Sequence, residues 1–184
     1  MEFPESVGLG RAIGNPISGE RIVIRKTAAE TDGKLLAFDL FLPPGGHVTA
    51  GHVHPEQEER FTVVSGKMRF RLGPRKIQAG PGDTVIIPAG RAHWFGNAAS
   101  GISHAQVEVR PALRMEEMFV ATEAISFDGH FPGTRLPRLS DLAMVLVEFR
   151  RELAVPNLPP VLVAVVLSPL AWLARRRRRR GSQR

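Results

Sequence analysis

The stretch that decides the fold is residues 46–66, GHVTAGHVHPEQEERFTVVSG. His52 and His54 are two residues apart, and alternate side chains of an extended strand point to the same face. We therefore expect both imidazole rings to project from one side of a sheet. Pro55 ends the regular pairing, and the chain turns before the next strand begins near Glu59.

Two adjacent carboxylates, Glu58 and Glu59, lie on opposite faces of this next strand. Phe61 and Val63 share the face of Glu59, whereas Arg60 shares the face of Glu58. The apolar partners predict that Glu59 points inward and Glu58 outward. Burying an unpaired carboxylate costs free energy, and a bound metal ion would offset that cost.

A second stretch, residues 82–97 with the sequence GDTVIIPAGRAHWFGN, supplies a third histidine. His93 shares a strand face with Phe95, and an inward His93 could face the same cavity as His52, His54 and Glu59. A lone histidine is usually a hydrogen-bonded polar residue, but three imidazoles with one inward carboxylate are typical of a divalent-metal site. The sequence has no cysteine, which excludes thiolate ligands and favours Fe, Mn, Ni, Cu or Zn held by nitrogen and oxygen.

Period-two alternation continues on both sides of these stretches. Apolar and polar residues alternate over residues 20–25, 36–42 and 68–72, with Gly/Pro turns between them, and a last strand runs from about 102 to 110. Short strands with close turns predict an antiparallel sandwich or barrel over residues 20–111. Residues 1–19 are rich in Gly, Pro and Ser and are interpreted as a loose lead-in.

The hydrophobic period becomes helical after Pro111. Apolar residues recur at helical spacing over residues 115–122 and 139–153, on either side of a Gly/Pro loop at 129–137. A third apolar stretch covers residues 161–174. We therefore predict a helical extension over residues 112–174, followed by an Arg-rich tail at 175–184.

The two histidine stretches resemble the two sequence motifs of the cupin superfamily. The first has Gly46, five residues, His52-Val53-His54, four residues, Glu59, six residues and Gly66. The second has Gly82, five residues, Pro88-Ala89-Gly90, two residues, His93, three residues and Asn97. Every fixed position is filled, and the resemblance, which covers about residues 20–111, is to the small single-domain bacterial members.

This resemblance implies a jelly-roll barrel of six to eight strands with one divalent metal near its centre. The implied ligands are His52, His54, Glu59 and His93, with Glu58 as the alternative carboxylate because the first motif varies in spacing. Structural roles are implied for the remaining motif positions Gly46, Gly66, Gly82, Pro88, Gly90 and Asn97. A homodimer is expected on the resemblance alone.

For function, the resemblance implies an enzyme that acts on a small molecule as a dioxygenase, isomerase or lyase. The alternatives are a non-catalytic, metal-dependent binding or sensing module and a dimer in which the metal only stabilises the barrel. Candidate pocket residues are Gln57, Phe61, Phe95, His104 and Gln106. For His104 and Gln106 the alternation favours a solvent-facing position, and His47 and His130 lack partners at ligand spacing.

The formal net charge of +7 is confined to the tail. Seven of the 25 Lys and Arg residues are Arg175–Arg180 and Arg184, so the remaining 18 balance the 18 Asp and Glu residues. Nucleic-acid binding by such an arginine run would be non-specific. The N-terminus has neither the basic nor the apolar region of a signal peptide, so a cytoplasmic location is expected.

The apolar stretch at 161–174 has three interpretations. As a helix it is about 21 Å long, shorter than a hydrocarbon core of about 30 Å, and Pro169 interrupts it. This disfavours a tail-anchored membrane span. The sequence favours a helix that rests on the barrel or on a partner subunit, with peripheral attachment to anionic lipid through Trp172 and the arginines as the alternative.

Overall fold

The structure is a computed structural model that describes residues 12–15, 18–48, 50–128 and 138–181. The strands are β1 (Ala12–Asn15), β2 (Glu20–Lys26), β3 (Leu36–Leu42), β4 (Glu58–Ser65), β5 (Met68–Leu72), β6 (Arg75–Ala79), β7 (Thr84–Ile87), β8 (His93–Asn97) and β9 (Ser103–Arg110). The helices are α1 (Met115–Asp128), α2 (Leu139–Glu148) and α3 (Pro160–Gly181). The predicted loop at 129–137 and His130 lie outside the described residues.

Two antiparallel sheets make up the β domain, as the alternation predicts. One has the strand order β1-β2-β3-β9-β4-β7 and the other β6-β5-β8. Residues 46–48 and 52 lie beside β8 and extend the smaller sheet, since the Asn97 amide donates to Gly46 O at 2.8 Å and the Val48 amide donates to Phe95 O at 3.1 Å. This added pairing places the two motif stretches side by side.

The inward residues of both sheets form one hydrophobic core. On β5 and β9 every second side chain is buried, which matches the predicted period of two. Phe61 lies at the centre, with its ring centroid 5.3 Å from Phe70 and 5.0 Å from Phe95. Burying a side chain of this size stabilises the fold by about 1.5–3 kcal/mol, so the aromatic cluster fixes the relative position of β4, β5 and β8.

The structure differs from the sequence prediction at the N-terminal end of the β domain. The lead-in is not wholly loose, because Ala12–Asn15 form β1, which pairs with β2. The Gly14 amide also donates to the Glu123 carboxylate on α1 at 2.8 Å. Tertiary pairing of this kind overrides the local Gly/Pro composition from which a loop was predicted.

The helices also have different limits from those predicted. The second helix ends at Glu148 rather than near Leu153, because Phe149 leaves the helical conformation. The residues after it pair with the β domain instead, where Ala154 forms a β-bridge to Val53. By contrast α3 continues through Pro169 without a break and lies against α2.

Candidate metal centre

Four predicted ligands come together inside the β domain. His52 and His54 lie on the segment before β4, Glu59 is the second residue of β4, and His93 is the first residue of β8. Each offers one donor atom, and all four donor atoms lie within 4.8 Å of one another. The prediction that the two motif stretches face one cavity is confirmed. The two stretches are joined directly at His52 and His93, which exchange two backbone hydrogen bonds of 3.0 and 2.9 Å.

Backbone carbonyls orient the three imidazole rings. The Nδ1 atom of His52 is 3.1 Å from Ala50 O, and that of His93 is 3.0 Å from Arg91 O. The Nδ1 atom of His54 contacts Glu152 O in the same way. A carbonyl oxygen can only accept, so each Nδ1 carries the proton and each Nε2 presents a lone pair to the cluster. Metal-ligating histidines are oriented in this manner.

The donor atoms crowd together. His52 Nε2 is 3.1 Å from His54 Nε2, and Glu59 Oε2 is 3.0 Å from His93 Nε2 and 3.4 Å from His54 Nε2. Among the described residues, Glu59 Oε2 and His93 Nε2 are buried and have no hydrogen-bond partner of acceptable geometry. Converging lone pairs repel unless a cation lies between them. Donors that share an ion at about 2.0–2.2 Å are themselves about 3.0–3.4 Å apart, so the residues fit a bound metal ion.

Burial and charge act on the titration of these groups in opposite directions. Burial alone would raise the pKa of Glu59, but electrostatic attraction to the neighbouring His54 and His93 holds that pKa well below its usual value. Burial likewise opposes a charged His54, yet Glu59 and the Glu152 carbonyl raise its pKa. Loss of water around its ring and the neighbouring histidines lower the pKa of His52 to about 3. A positive charge is therefore stabilised beside Glu59, as a metal site requires.

The strand register separates Glu59 from Glu58. Glu59 is only 4% exposed and lies opposite Ile87 and Val109, both of which are buried. Glu58 is half-buried and lies opposite Arg110 on the other face of β4. The inward position of Glu59 is thus confirmed, and Glu58, the alternative carboxylate, is not part of the cluster.

Comparison with known proteins concerns the fold that carries this cluster. Residues 39–105 match the cupin domain family. The chain is similar in fold to a predicted oxalate decarboxylase from Thermotoga maritima, with 18% identity, 55% of this chain and 91% of that chain covered, and a TM-score of 0.50. It is also similar to a sugar phosphate isomerase of the cupin superfamily from Silicibacter pomeroyi, with 18% identity, 55% and 71% coverage and a TM-score of 0.48. The comparison with curated proteins finds no match.

This chain contains a cupin domain. The predicted jelly-roll fold is confirmed, and a C-terminal helical part follows it. The family match begins within β3 and ends within β9, so β1, β2 and the three helices lie outside the matched residues.

The motif turns of the cupin domain position His93. The Arg91 amide donates to Pro88 O at 3.1 Å, and the Gly90 amide donates to His54 O at 2.8 Å. The turn before β8 is therefore bonded directly to the segment that carries another ligand. This accounts for the predicted structural role of Pro88 and Gly90, since one turn sets the distance between His93 and His54.

The other motif residues have structural contacts. Gly66 has φ of +77°, and a Cβ there would lie 2.8 Å from Ser103 Cα, so a larger residue would displace β9. Asn97 is buried, and its side-chain amide donates to Leu42 O at 2.8 Å and to Gly101 O at 2.7 Å. Gly46 lies close against Pro43, and Gly82 has φ of +88° in its turn.

The five candidate pocket residues have different positions. Phe95 lies near the cluster, with its ring centroid 6.5 Å from that of His52, and Phe61 packs against Phe95. Gln57 is fully buried and donates to the carbonyls of Pro111 and Ala112, both at 3.0 Å. Gln57 therefore ties the start of β4 to the chain after β9.

His104 and Gln106 lie on the outer face of β9. They alternate with Ala105 and Val107, which are buried in the core. The His104 ring stacks on Phe41 at 4.4 Å, and its Nε2 is 2.8 Å from Asp39 Oδ1. Their assignment to the pocket is corrected, because the alternation of the strand directs both side chains away from the metal cluster.

Sequence reasoning missed Glu152, the residue whose carbonyl oxygen orients His54. It belongs to the C-terminal part, which the family match does not include. Its buried carboxylate also accepts from the Arg114 amide at 3.1 Å. No sequence signal identifies such a contact, because every residue has a backbone carbonyl.

Sequence reasoning also missed Glu20, a titratable residue of β2. Glu20 lies beside Ile13, Ile22 and Phe119, between the first two strands and α1. Burial raises its pKa to about 7, and this effect exceeds the opposing effect of its hydrogen bonds to Asn15 and Ser18. Glu20 shares a strand face with Ile22 and Ile24, and this is the sequence signal that could have placed it inward.

Replacing Glu20 should change how stability depends on pH. The pKa of Glu20 is higher in the folded than in the unfolded chain, so its ionisation destabilises the fold progressively from about pH 4.5 to pH 7. Glu20→Gln should therefore raise the free energy of unfolding by about 2–3 kcal/mol at pH 8 and change it little at pH 4. Urea unfolding at both pH values measures this difference.

The matched control for this prediction is Glu116→Gln on α1, which should have little effect at either pH. An equal effect of Glu20→Gln at pH 4 and pH 8 would contradict the assignment of the destabilisation to ionisation of Glu20.

Proposed function

We propose that this protein binds one first-row divalent metal ion through His52, His54, Glu59 and His93 and acts on a small oxygen-bearing molecule. The observation that carries this proposal is the convergence of three Nε2 lone pairs and one buried carboxylate oxygen. The rings are already oriented by backbone carbonyls, so little reorganisation is required when the ion binds. The ligand types favour Fe, Mn, Ni, Cu or Zn.

The chemistry follows from an incompletely filled coordination shell. A bound ion with four protein ligands would supply Lewis-acid or O2-activating chemistry at its one or two open positions. Glu59 offsets part of the positive charge, and the three neutral histidines leave the rest to polarise a substrate oxygen. Dioxygenase, isomerase and lyase reactions all use such a centre, and these are the reaction classes that we propose.

The solvent exposure of the four ligands favours one side from which a substrate can approach the metal centre. Among the four ligands, His52 is partly exposed and the others are buried. On the inner side, Phe61 and Phe95 fill the domain and exclude water. These positions support a small substrate that reaches the centre from the side of His52.

The proposal predicts close to one metal ion per chain. Elemental analysis of purified protein, or of chelated protein reconstituted with Mn2+, Fe2+, Ni2+, Cu2+ or Zn2+, should find this ratio. His93→Ala should lose the metal because one of four ligands is removed. His47→Ala should retain it, because His47 is exposed and lies outside the cluster.

Turnover distinguishes an enzyme from a binding or sensing module. Metal-loaded protein should consume O2 or convert a member of a panel of small hydroxy acids, keto acids and sugars, and His93→Ala should abolish this activity. Saturable binding of a panel compound without conversion would instead support the non-catalytic module. Failure to bind any of the five metals after reconstitution would overturn the proposal as a whole.

A further inference from the structure

Helix α3 has an apolar face that no described part of the chain covers. Its buried side carries small residues, since Ala171 and Ala174 are 1% and 0% exposed. Its opposite side carries large apolar residues, each between 41% and 69% exposed, which are Val161, Leu162, Val165, Val166, Leu170, Trp172 and Leu173. We call these seven residues the α3 face.

The arrangement of α3 is the reverse of a helix built only to fill a protein core. Such a helix buries its largest apolar side chains, whereas here the two fully buried residues are alanines, Val163 and Leu167 are only partly buried, and the seven large residues of the α3 face are exposed. Leu162 lies three and four positions from Val165 and Val166, and Leu170 lies four and three positions from Val166 and Leu173, so these residues form a continuous surface along the helix. Large continuous apolar patches mark interaction surfaces rather than ordinary solvent-exposed surface.

Charge next to the α3 face identifies its partner. Arg175–Arg180 follow directly in the same helix, and no Asp or Glu occurs from Leu153 to Arg184. Glu148 pairs with Arg175 at 3.3 Å but also pairs with Arg114, so it neutralises little of the run. An apolar surface that borders a run of arginines is complementary to anionic lipid, which offers acyl chains beside negative headgroups.

Trp172 lies where the apolar and basic parts of α3 meet. It is 58% exposed, and the Arg176 guanidinium lies 5.2 Å from its ring centroid. Tryptophan prefers the boundary between headgroups and acyl chains. The position of Trp172 therefore matches the depth at which the basic run would contact lipid phosphates.

Length determines how α3 meets the bilayer. Among the described helices, none is long and apolar enough to cross a membrane. The apolar part covers 14 residues, 161–174, which is about 21 Å of helix. We propose that α3 lies along the surface of an anionic membrane, with the α3 face in the acyl region and the exposed Arg175–Arg177 on the headgroups.

The test is flotation of the full chain with lipid vesicles. The protein should bind vesicles of equal phosphatidylcholine and phosphatidylglycerol and should bind pure phosphatidylcholine at least about tenfold more weakly. Binding should fall in 0.5 M NaCl because salt screens the arginine–phosphate attraction. Equal binding to both vesicles, or none to either, would overturn the proposal.

Two pairs of matched variants locate the binding surface. Val165→Asp with Val166→Asp, and separately Arg176→Glu with Arg177→Glu, should each weaken binding at least about tenfold. Val64→Asp with Ile86→Asp alters exposed apolar residues of the β domain, and Arg71→Glu with Lys76→Glu makes the same charge change on β5 and β6. Both controls should bind like wild type.

Self-association is the competing outcome. If a second copy covers the α3 face, sedimentation velocity will show a dimer that dissociates in the Val165→Asp/Val166→Asp variant, and vesicle binding will be absent. That result would overturn the lipid proposal. A normal far-ultraviolet circular dichroism spectrum of each variant shows that its loss of vesicle binding does not result from unfolding, and vesicle flotation itself does not measure metal binding.

Discussion

The Glu59→Gln variant should bind Zn2+ more than about 100-fold more weakly than the wild-type protein. Loss of a group that only hydrogen-bonds to a ligand already costs about 10–100-fold in metal affinity, and Glu59 contributes both a donor atom and the negative charge of the cluster. Its Oε2 atom lies 3.0 Å from His93 Nε2 and 3.4 Å from His54 Nε2. Titration of chelated protein with Zn2+ against a competing chelator measures the change.

The control for this prediction is the neighbouring carboxylate. Glu58→Gln makes the same chemical change one residue earlier, on the opposite face of β4 and opposite Arg110. Its affinity for Zn2+ should stay within about twofold of wild type, because a half-exposed charge on the far side of the strand is screened by water. Equal losses in the two variants, or a larger loss in Glu58→Gln, would contradict the assignment of Glu59 as the ligand.

The choice between these two carboxylates was predictable from sequence because it depends on local alternation. Phe61 and Val63 follow Glu59 at intervals of two, and the strand period places all three on one face. The same reasoning places His104 and Gln106 outside, opposite in direction to Ala105 and Val107. Strand faces follow from neighbours in the chain, so a single sequence contains the necessary information.

The contact between His52 and His93 is tertiary, and local alternation did not predict it. Alternation shows that each ring is directed to one face but not that the two faces are the same. Only the resemblance to the cupin motifs supplied that pairing. The structure shows its physical basis, which is a pair of backbone hydrogen bonds between residues 41 positions apart.

Neither strand alternation nor the resemblance to the cupin motifs predicted the role of the C-terminal part. The carbonyl of Glu152 reaches His54 across 98 residues, and a backbone acceptor has no signature in the sequence. The helical period around it predicted continuation to Leu153, whereas pairing of Ala154 with Val53 competes with the helix and ends it early. Similarly, β1 exists because it pairs with β2, although its own residues favour a loop.

This contact predicts that the C-terminal part controls metal affinity. The Ala154 amide donates to Val53 O at 2.8 Å, and the Val53 amide donates to Ala154 O at 3.0 Å. Ala154→Pro removes the first of these bonds and disturbs the second, because proline has no amide hydrogen. The Glu152 carbonyl, two residues earlier, should then move from His54 Nδ1, and Zn2+ affinity should fall by about 10–100-fold.

Two controls separate this effect from general destabilisation. Val155→Pro makes the same substitution at the next residue, whose amide makes no backbone hydrogen bond with the described residues, and should keep its affinity within about twofold. Arg151→Ala removes an exposed ion pair with Glu56, which is worth about 0–1 kcal/mol, and should also retain affinity. Circular dichroism should show that all three variants are folded at the titration temperature. A folded Ala154→Pro variant with wild-type affinity would mean that His54 is oriented by its own β domain and that the C-terminal contact is dispensable for the site.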